Sequence, residues 1–356
     1  MSGFRGARRV LSGVERLKPM SARISAISSH LPSNVLTNEE LAENFEGWTA
    51  DKIFAKTGIR LRTIAADGET AGDLAGLAAE RLFREHAVAP ESIDFLIFCT
   101  QSPDYFLPTT ACLIHRRLGM SSRAGAIDVN QGCSGFVYSL SLAKGLIAAR
   151  SASRVLILTA DTYSKYIHPR DKSVRTLFGD AGAAILVEAC PDDSPSSIGQ
   201  FVFGTDGTGA PNLIVPTGGA RQARSPSTAL EETDGSGNVR SADNLYMNGS
   251  EIMSFTLSAV PSAIKQLEDL TGTALRSCDY VVMHQANAFM LEALRKKLGI
   301  PREKFPMRLE NCGNTVSSTI PLVMEGLVRE HGGSGKLAAL VGFGVGYSWA
   351  ACHVRL

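Results

Sequence analysis

Apolar positions along this chain follow two alternating periods. From about residue 72 to 87 they recur at helical spacing, and "IDFLIFCT" (93–100) then runs apolar without a break, as a strand buried on both faces does. "SGFVYSLSLAKGLIAAR" (134–150) predicts an amphipathic helix with Phe136, Val137, Leu140, Ala143 and Ile147 on its inner face. "RVLILTAD" (154–161) predicts another buried strand. Near the start, "SARISAISSHLPSN" (21–34) predicts an alternating strand closed by a turn at Leu31-Pro32-Ser33-Asn34. Strands and helices alternate along the whole length, so the fold class is α/β.

A weak repeat divides the chain. "SIDFLIFCTQSPD" (92–104) resembles "SCDYVVMHQANAF" (277–289), and "SRVLILTADTYS" (153–164) resembles "GKLAALVGFGVGYS" (335–348), in the same order. Two ordered matches imply a duplicated strand–helix–strand plan. The expected organisation is a basic extension over 1–19, one half over 20–195 and a second over 196–356. A Gly-, Ser- and charge-rich stretch (217–244) reads as a long surface loop, either a binding element or an excursion without a role.

Composition narrows the class. The 356 residues are 44% hydrophobic and 20% charged, and 36 Lys and Arg balance 35 Asp and Glu. That balance favours neither nucleic acid nor an anionic membrane as a partner. No apolar run approaches the roughly 20 residues of a membrane span. The seven cysteines form no Cys-x-x-Cys pair. An odd number without metal spacing predicts a reduced, cytoplasmic protein, no metal, and a catalytic role for any special cysteine. Residues 1–19 carry Arg5, Arg8, Arg9, Arg16 and Lys18 and have no apolar segment of secretory type.

Chemistry concentrates at three turns. Cys133 in "DVNQGCSGFVYSL" follows a strand (Gly125 to Val129) and opens a helix, where free backbone N–H groups and the dipole favour thiolate. His284 ends the apolar strand "YVVM", the usual address of site residues in α/β folds. Asn314 sits in a Gly-Asn turn before a helix. Taken singly, each also fits a structural role: a buried thiol, a satisfied histidine, a turn residue. The glycine-rich "GFGVG" (342–346) does not open a helix in a βαβ unit, which excludes a dinucleotide site.

Together, Cys133 in G-C-S-G-F, His284 in H-Q-A-N and Asn314 in G-N-T resemble, in order and separation, the triad of β-ketoacyl-acyl-carrier-protein synthase III. "KTGIRLRTIA" (56–65), "FGDAGAAILV" (178–187) and "GFGVGYSWA" (342–350) resemble three further segments of that family, so the resemblance covers Met20 to Leu356. It implies a thiolase-like fold of two duplicated mixed-sheet α/β halves layered αβαβα. The implied reaction is decarboxylative Claisen condensation through an acyl-Cys133 intermediate. The substrates would be acyl-CoA and malonyl-acyl carrier protein, with no permanently bound cofactor. The resemblance assigns an oxyanion site to the N–H groups of Cys133 and Val345, supported by Gly344 and Phe343, and enolate stabilisation to His284 and Asn314. It implies CoA contacts at Lys52, Lys56, Lys172 and Asn287, an acyl pocket touched by Phe106 and Leu107, and a homodimer that meets an acyl carrier protein.

Five positions depart from that pattern. Lys52 takes the place of the family's adenine-stacking Trp, with Trp48 one helical turn earlier. Lys56 and Lys172 replace CoA-contacting arginines, and lysine lacks their bidentate geometry. Phe289 stands where a basic residue helps to dock the carrier, and Leu107 replaces the aromatic that closes the acyl pocket. These changes leave the chemistry intact and admit a specialised paralogue that loads an unusual acyl group. The Gly-Asn-Thr motif argues against the Cys-His-Glu chemistry of hydroxymethylglutaryl-CoA synthase, and the intact triad argues against a silent partner subunit.

Overall fold

The computed structural model describes residues 20–191, 194, 198–332 and 335–356. The basic extension 1–19 and the expected boundary at 195–196 therefore lie outside, or at the edge of, the described residues. Two mixed sheets form the frame. The first orders its strands Met20–His30, Ala181–Pro191, Arg154–Asp161, Phe95–Cys99 and Gly125–Val129. Its first two pairings are antiparallel and its last two parallel. The second orders Phe201–Thr205, Ser348–Arg355, Leu337–Gly344 and Tyr280–Met283, with the same sequence of two antiparallel pairings and then a parallel one. The segments that resemble one another in sequence thus occupy equivalent strands, which is the duplication seen in space.

Helices Gly135–Ala148 and Thr319–His331 lie between the sheets. One apolar cluster joins Phe136, Leu140 and Ile147 of the first helix and Ile320 and Leu327 of the second to strand residues of both sheets, Ile157 and Leu340 among them. Burying each of the larger side chains contributes about 1.5–3 kcal/mol. The expected inner face is buried, and so are Gly135 and Ser139, because this helix has a sheet on either side. Helices Ala71–Glu85 and Thr110–Arg117 cover the outer face of the first sheet. Helices Gly249–Thr271 and Ala288–Lys297 cover that of the second, which completes five layers.

Local chemistry starts these elements where the pattern needs them. Thr70 and Asp73 form a reciprocal capping box at the start of Ala71–Glu85. Gly58 ends helix Ala50–Thr57 in the left-handed region, at φ 69°. A Cβ there would stand 2.3 Å from Ala288 Cβ, so glycine lets the first half touch the helix that follows His284. The stretch 217–244 is ordered rather than a loose excursion. Arg240 reaches both Asp171 and Asp234 at 2.8 Å, and Lys172 donates to the Ser236 carbonyl at 2.5 Å.

Candidate active site

Both halves meet at Cys133. The thiol is buried in the turn between strand Gly125–Val129 and helix Gly135–Ala148. Three glycines allow the close approach. A Cβ at Gly135 would strike Cys99 Sγ, one at Gly342 would lie 2.7 Å from Ser134 Cα, and one at Gly344 would lie 2.9 Å from Cys133 Sγ. The hydroxyls of Ser134 and Ser348 hydrogen-bond at 2.6 Å and tie the turn to the C-terminal hairpin. In this arrangement the backbone N–H groups of Val345 and of Cys133 itself bear on the sulfur and favour its charged form.

His284 and Asn314 are held through one residue between them in space, Val316. This β-branched residue has φ 53°, a conformation that costs on the order of 1–3 kcal/mol. Its N–H donates to Asn314 Oδ1 at 3.0 Å. Its carbonyl accepts from Thr319 Oγ1 at 3.1 Å and faces the His284 ring, whose Nδ1 lies 2.8 Å from the same Thr319 hydroxyl. The anchored atoms are thus Asn314 Oδ1 and His284 Nδ1. Asn314 Nδ2 and His284 Nε2 have no hydrogen-bond partner among the described residues and remain for a ligand. Phe343 stands edge-on to His284, ring centres 5.5 Å apart. The "FGD" segment secures the turn from below: Gly179 N–H donates to the Asn314 carbonyl, and Asn314 N–H donates to that of Leu177.

Electrostatics correct one expectation. The helix start predicted thiolate at Cys133, but burial, followed by the field of Asp161, pushes the thiol up to about 12, outweighing the two N–H donors. Burial also lowers His284 to about 3. At neutral pH Cys133 therefore rests as a thiol and His284 as a neutral imidazole, not as an ion pair. Because the thiolate is the nucleophile, iodoacetamide alkylation at Cys133 should climb about tenfold per pH unit with no plateau below pH 10. The rate must be followed on the Cys133 peptide, since Cys112 is exposed. A plateau near pH 6–7 would show a pre-formed thiolate.

Asp161, buried at the end of strand Arg154–Asp161, was not singled out in the sequence. It accepts from Gln101 N–H at 2.8 Å, Ser317 N–H at 3.2 Å and Ser317 Oγ at 2.5 Å. It thereby links the first half to the turn that carries Asn314 and Val316. Burial raises it to about 7. An aspartate ending "RVLILTAD" was visible in the sequence, but nothing there told it from a solvated strand end.

The remaining expected residues fall into separate groups. Lys52 and Lys56 place their ammonium groups 5.1 and 5.7 Å from the centre of the Trp48 ring, and Lys52 also donates to the Gly47 carbonyl at 2.8 Å. Lys172 is engaged with the long loop, as above. Asn287 caps helix Ala288–Lys297 by accepting from Met290 N–H at 2.8 Å, so a contact to CoA would fall to its Nδ2. Phe106 and Leu107 are each 86% exposed and Phe289 is 69% exposed. Among the described residues no His, Cys, Asp and Glu cluster could hold a metal, and no helix is long and apolar enough to cross a membrane.

Known proteins share this frame. The family described as 3-oxoacyl-[acyl-carrier-protein] synthase III matches residues 127–207, around Cys133, and its C-terminal counterpart matches 269–356, around His284, Asn314 and Val345. A β-ketoacyl-[acyl-carrier-protein] synthase III from Xanthomonas euvesicatoria pv. vesicatoria is 33% identical over 340 residues, 95% of this chain and 99% of its own length. The chain belongs to the 3-oxoacyl-[acyl-carrier-protein] synthase III family. A crystal structure of a 3-oxoacyl-(acyl-carrier-protein) synthase III, 56% identical, superposes with a TM-score of 0.92 over 94% of this chain and all of the other. The priming β-ketosynthase of the R1128 polyketide biosynthetic pathway is 28% identical, with a TM-score of 0.83 over 97% of this chain and 98% of its own. Membership in the synthase III family accounts for the thiolase-like architecture and for a condensing acyltransferase activity.

Proposed function

We propose that the chain joins an acyl thioester to a malonyl thioester, carried by acyl carrier protein, with Cys133, His284 and Asn314 as the catalytic residues. The observation that carries this reading is a buried sulfur on which the N–H groups of Val345 and Cys133 bear, together with His284 Nε2 and Asn314 Nδ2, left without a partner among the described residues. Such preorganised donors stabilise a developing oxyanion. In the first half-reaction Cys133 Sγ attacks the acyl carbonyl, its oxygen accepts those two hydrogen bonds, and the thiol proton leaves with the departing thiol. His284 Nε2, unprotonated when Nδ1–H faces Thr319 and the Val316 carbonyl, can take that proton.

In the second half-reaction the malonyl thioester loses carbon dioxide and the electrons of the broken C–C bond form an enolate. Its oxygen is held by Asn314 Nδ2 and by His284 Nε2–H. The latter tautomer is available once the Thr319 hydroxyl turns to donate to Nδ1. The enolate carbon attacks the acyl group on Cys133, and the thiolate leaves, giving a 3-oxoacyl product. No step abstracts a proton from carbon, so no carboxylate base is required. Intact-mass spectrometry tests the sequence of events. An acyl donor should add one acyl group to the protein, and malonyl carrier protein should remove it. A protein that turns over without ever carrying the adduct would exclude the acyl-enzyme route.

We read Lys52, Lys56 and Lys172 as point-charge contacts to the CoA phosphates, and Asn287 Nδ2 as a further contact to CoA. The halves are assigned to 20–195 and 196–356. The exposed Tyr105-Phe106-Leu107 tip supports a homodimer in which each chain reaches toward its neighbour's acyl pocket, because an apolar tip held out in water is costly. The loop is fixed at both ends: Asp104 accepts from Gly72 N–H at 3.1 Å, and Asp128 accepts from Thr110 and Ala111 N–H at 2.8 Å. Light scattering at micromolar concentration should give twice the 37.9 kDa chain mass, and a fully active monomer would exclude this assembly. The lysine replacements and the softer Leu107 favour a specialised primer over acetyl.

A further inference from the structure

The wall beside Cys133 is polar where a saturated acyl chain would call for an apolar one. A Cβ at Gly132 would lie 2.4 Å from Gln101 Oε1 and 2.6 Å from Val345 Cγ1, so both side chains close on the residue that precedes the nucleophile. The Tyr163 hydroxyl donates to Gln101 Oε1 at 2.6 Å. Tyr163 is buried in the same cluster as Cys133, its ring 5.2 Å from that of Phe178. The Gln101 backbone is fixed as well, its N–H on Asp161 and its carbonyl accepting from Tyr166 Oη at 3.4 Å. With Oε1 occupied, the Gln101 amide presents two Nε2–H donors that have no partner among the described residues.

Placing an amide and a phenol against a reaction centre costs free energy unless their hydrogen bonds are completed. The condensation itself uses neither group. We propose that the acyl group taken by Cys133 carries a neutral oxygen, a hydroxyl or a keto group, that accepts from Gln101 Nε2, with Tyr163 holding the amide in the donating orientation. Tyr163 and Gln101 are both neutral groups, and an uncharged oxygen completes their hydrogen bonds without burying an unpaired charge. This inference rests on Cys133 being the acyl acceptor and goes further by naming the class of primer.

The test compares two donors of matched shape, 3-hydroxybutyryl-CoA and 3-methylbutyryl-CoA, with 3-oxobutyryl-CoA and acetyl-CoA alongside. The rate of acyl-adduct formation is read by intact mass. The wild-type protein should load the oxygen-bearing chains about ten- to hundredfold faster than 3-methylbutyryl. Gln101→Met should erase most of that ratio while still loading 3-methylbutyryl, and Tyr163→Phe should lower it part-way. Equal or faster loading of 3-methylbutyryl by the wild type would overturn the proposal without recourse to any variant. A ratio unchanged in Gln101→Met would do the same. If acetyl-CoA and every other donor leave the wild type unlabelled, the acyl-enzyme reading itself falls, and the choice of primer with it.

Discussion

Cys133→Ala should lose self-acylation and condensation altogether, a fall on the order of a millionfold where a nucleophile acts as one unit with its partners. The sulfur is the group on which the N–H donors of Val345 and Cys133 bear, and alanine has no electron pair to attack an acyl carbonyl. The fold should survive. The lost atom lies against Gly344, so the change leaves only a small void, and such substitutions cost about 1 kcal/mol. Peptide mapping after exposure to an acyl donor checks the result. A stable acyl group on Cys99, Cys112 or Cys312 of the wild-type protein would overturn the assignment.

Asn314→Ala should separate the two half-reactions. Asn314 Oδ1 is committed to Val316 N–H, so the substitution removes the Nδ2 donor at the enolate and leaves the Cys133 oxyanion donors in place. Losing one such donor costs about 3–4 kcal/mol, or about a hundred- to a thousandfold in the condensation rate. The acyl-enzyme should still form at close to the wild-type rate and then persist when malonyl carrier protein is added. The variant should also melt lower, because a buried Val316 N–H loses its partner, at about 1–3 kcal/mol. His284→Ala should behave alike, with slower acylation as well if the imidazole accepts the thiol proton. Pre-steady-state labelling and discharge decide the matter. Slow acylation followed by normal discharge in Asn314→Ala would place that residue in the first half-reaction.

Much of this site was legible because its residues lie in short segments whose local conformation does not depend on distant partners. Cys133 in a Gly-Cys-Ser-Gly turn, His284 at a strand end and Asn314 in a Gly-Asn turn each announce a place where backbone and side chain are exposed to a ligand. Gly58, Gly179 and Gly344 were legible as motif glycines, although the atoms that forbid a Cβ at each belong to Ala288, Cys312 and Cys133, far away in the chain. Asp161, Val316 and the Gln101–Tyr163 pair were not legible. Each is an ordinary residue type in its sequence: the roles of Asp161 and of the Gln101–Tyr163 pair arise from contacts across 60 to 156 positions, and that of Val316 from a backbone conformation that only the folded turn imposes.

The sequence by itself therefore determined the α/β alternation, the duplicated plan and the three turns proposed to carry the chemistry. These follow from periodicity and from residues whose own covalent structure dictates a turn or a nucleophile. Only the tertiary structure decided the ionisation of the site. A helix start favours thiolate through a local dipole worth about 0.3–1 kcal/mol, up to about 2 when partly buried. Enclosure between two sheets, beside the carboxylate of Asp161, acts the other way and more strongly, because desolvation disfavours the charged form of any thiol. Burial is a sum over the whole fold, and no short stretch of the chain contains it.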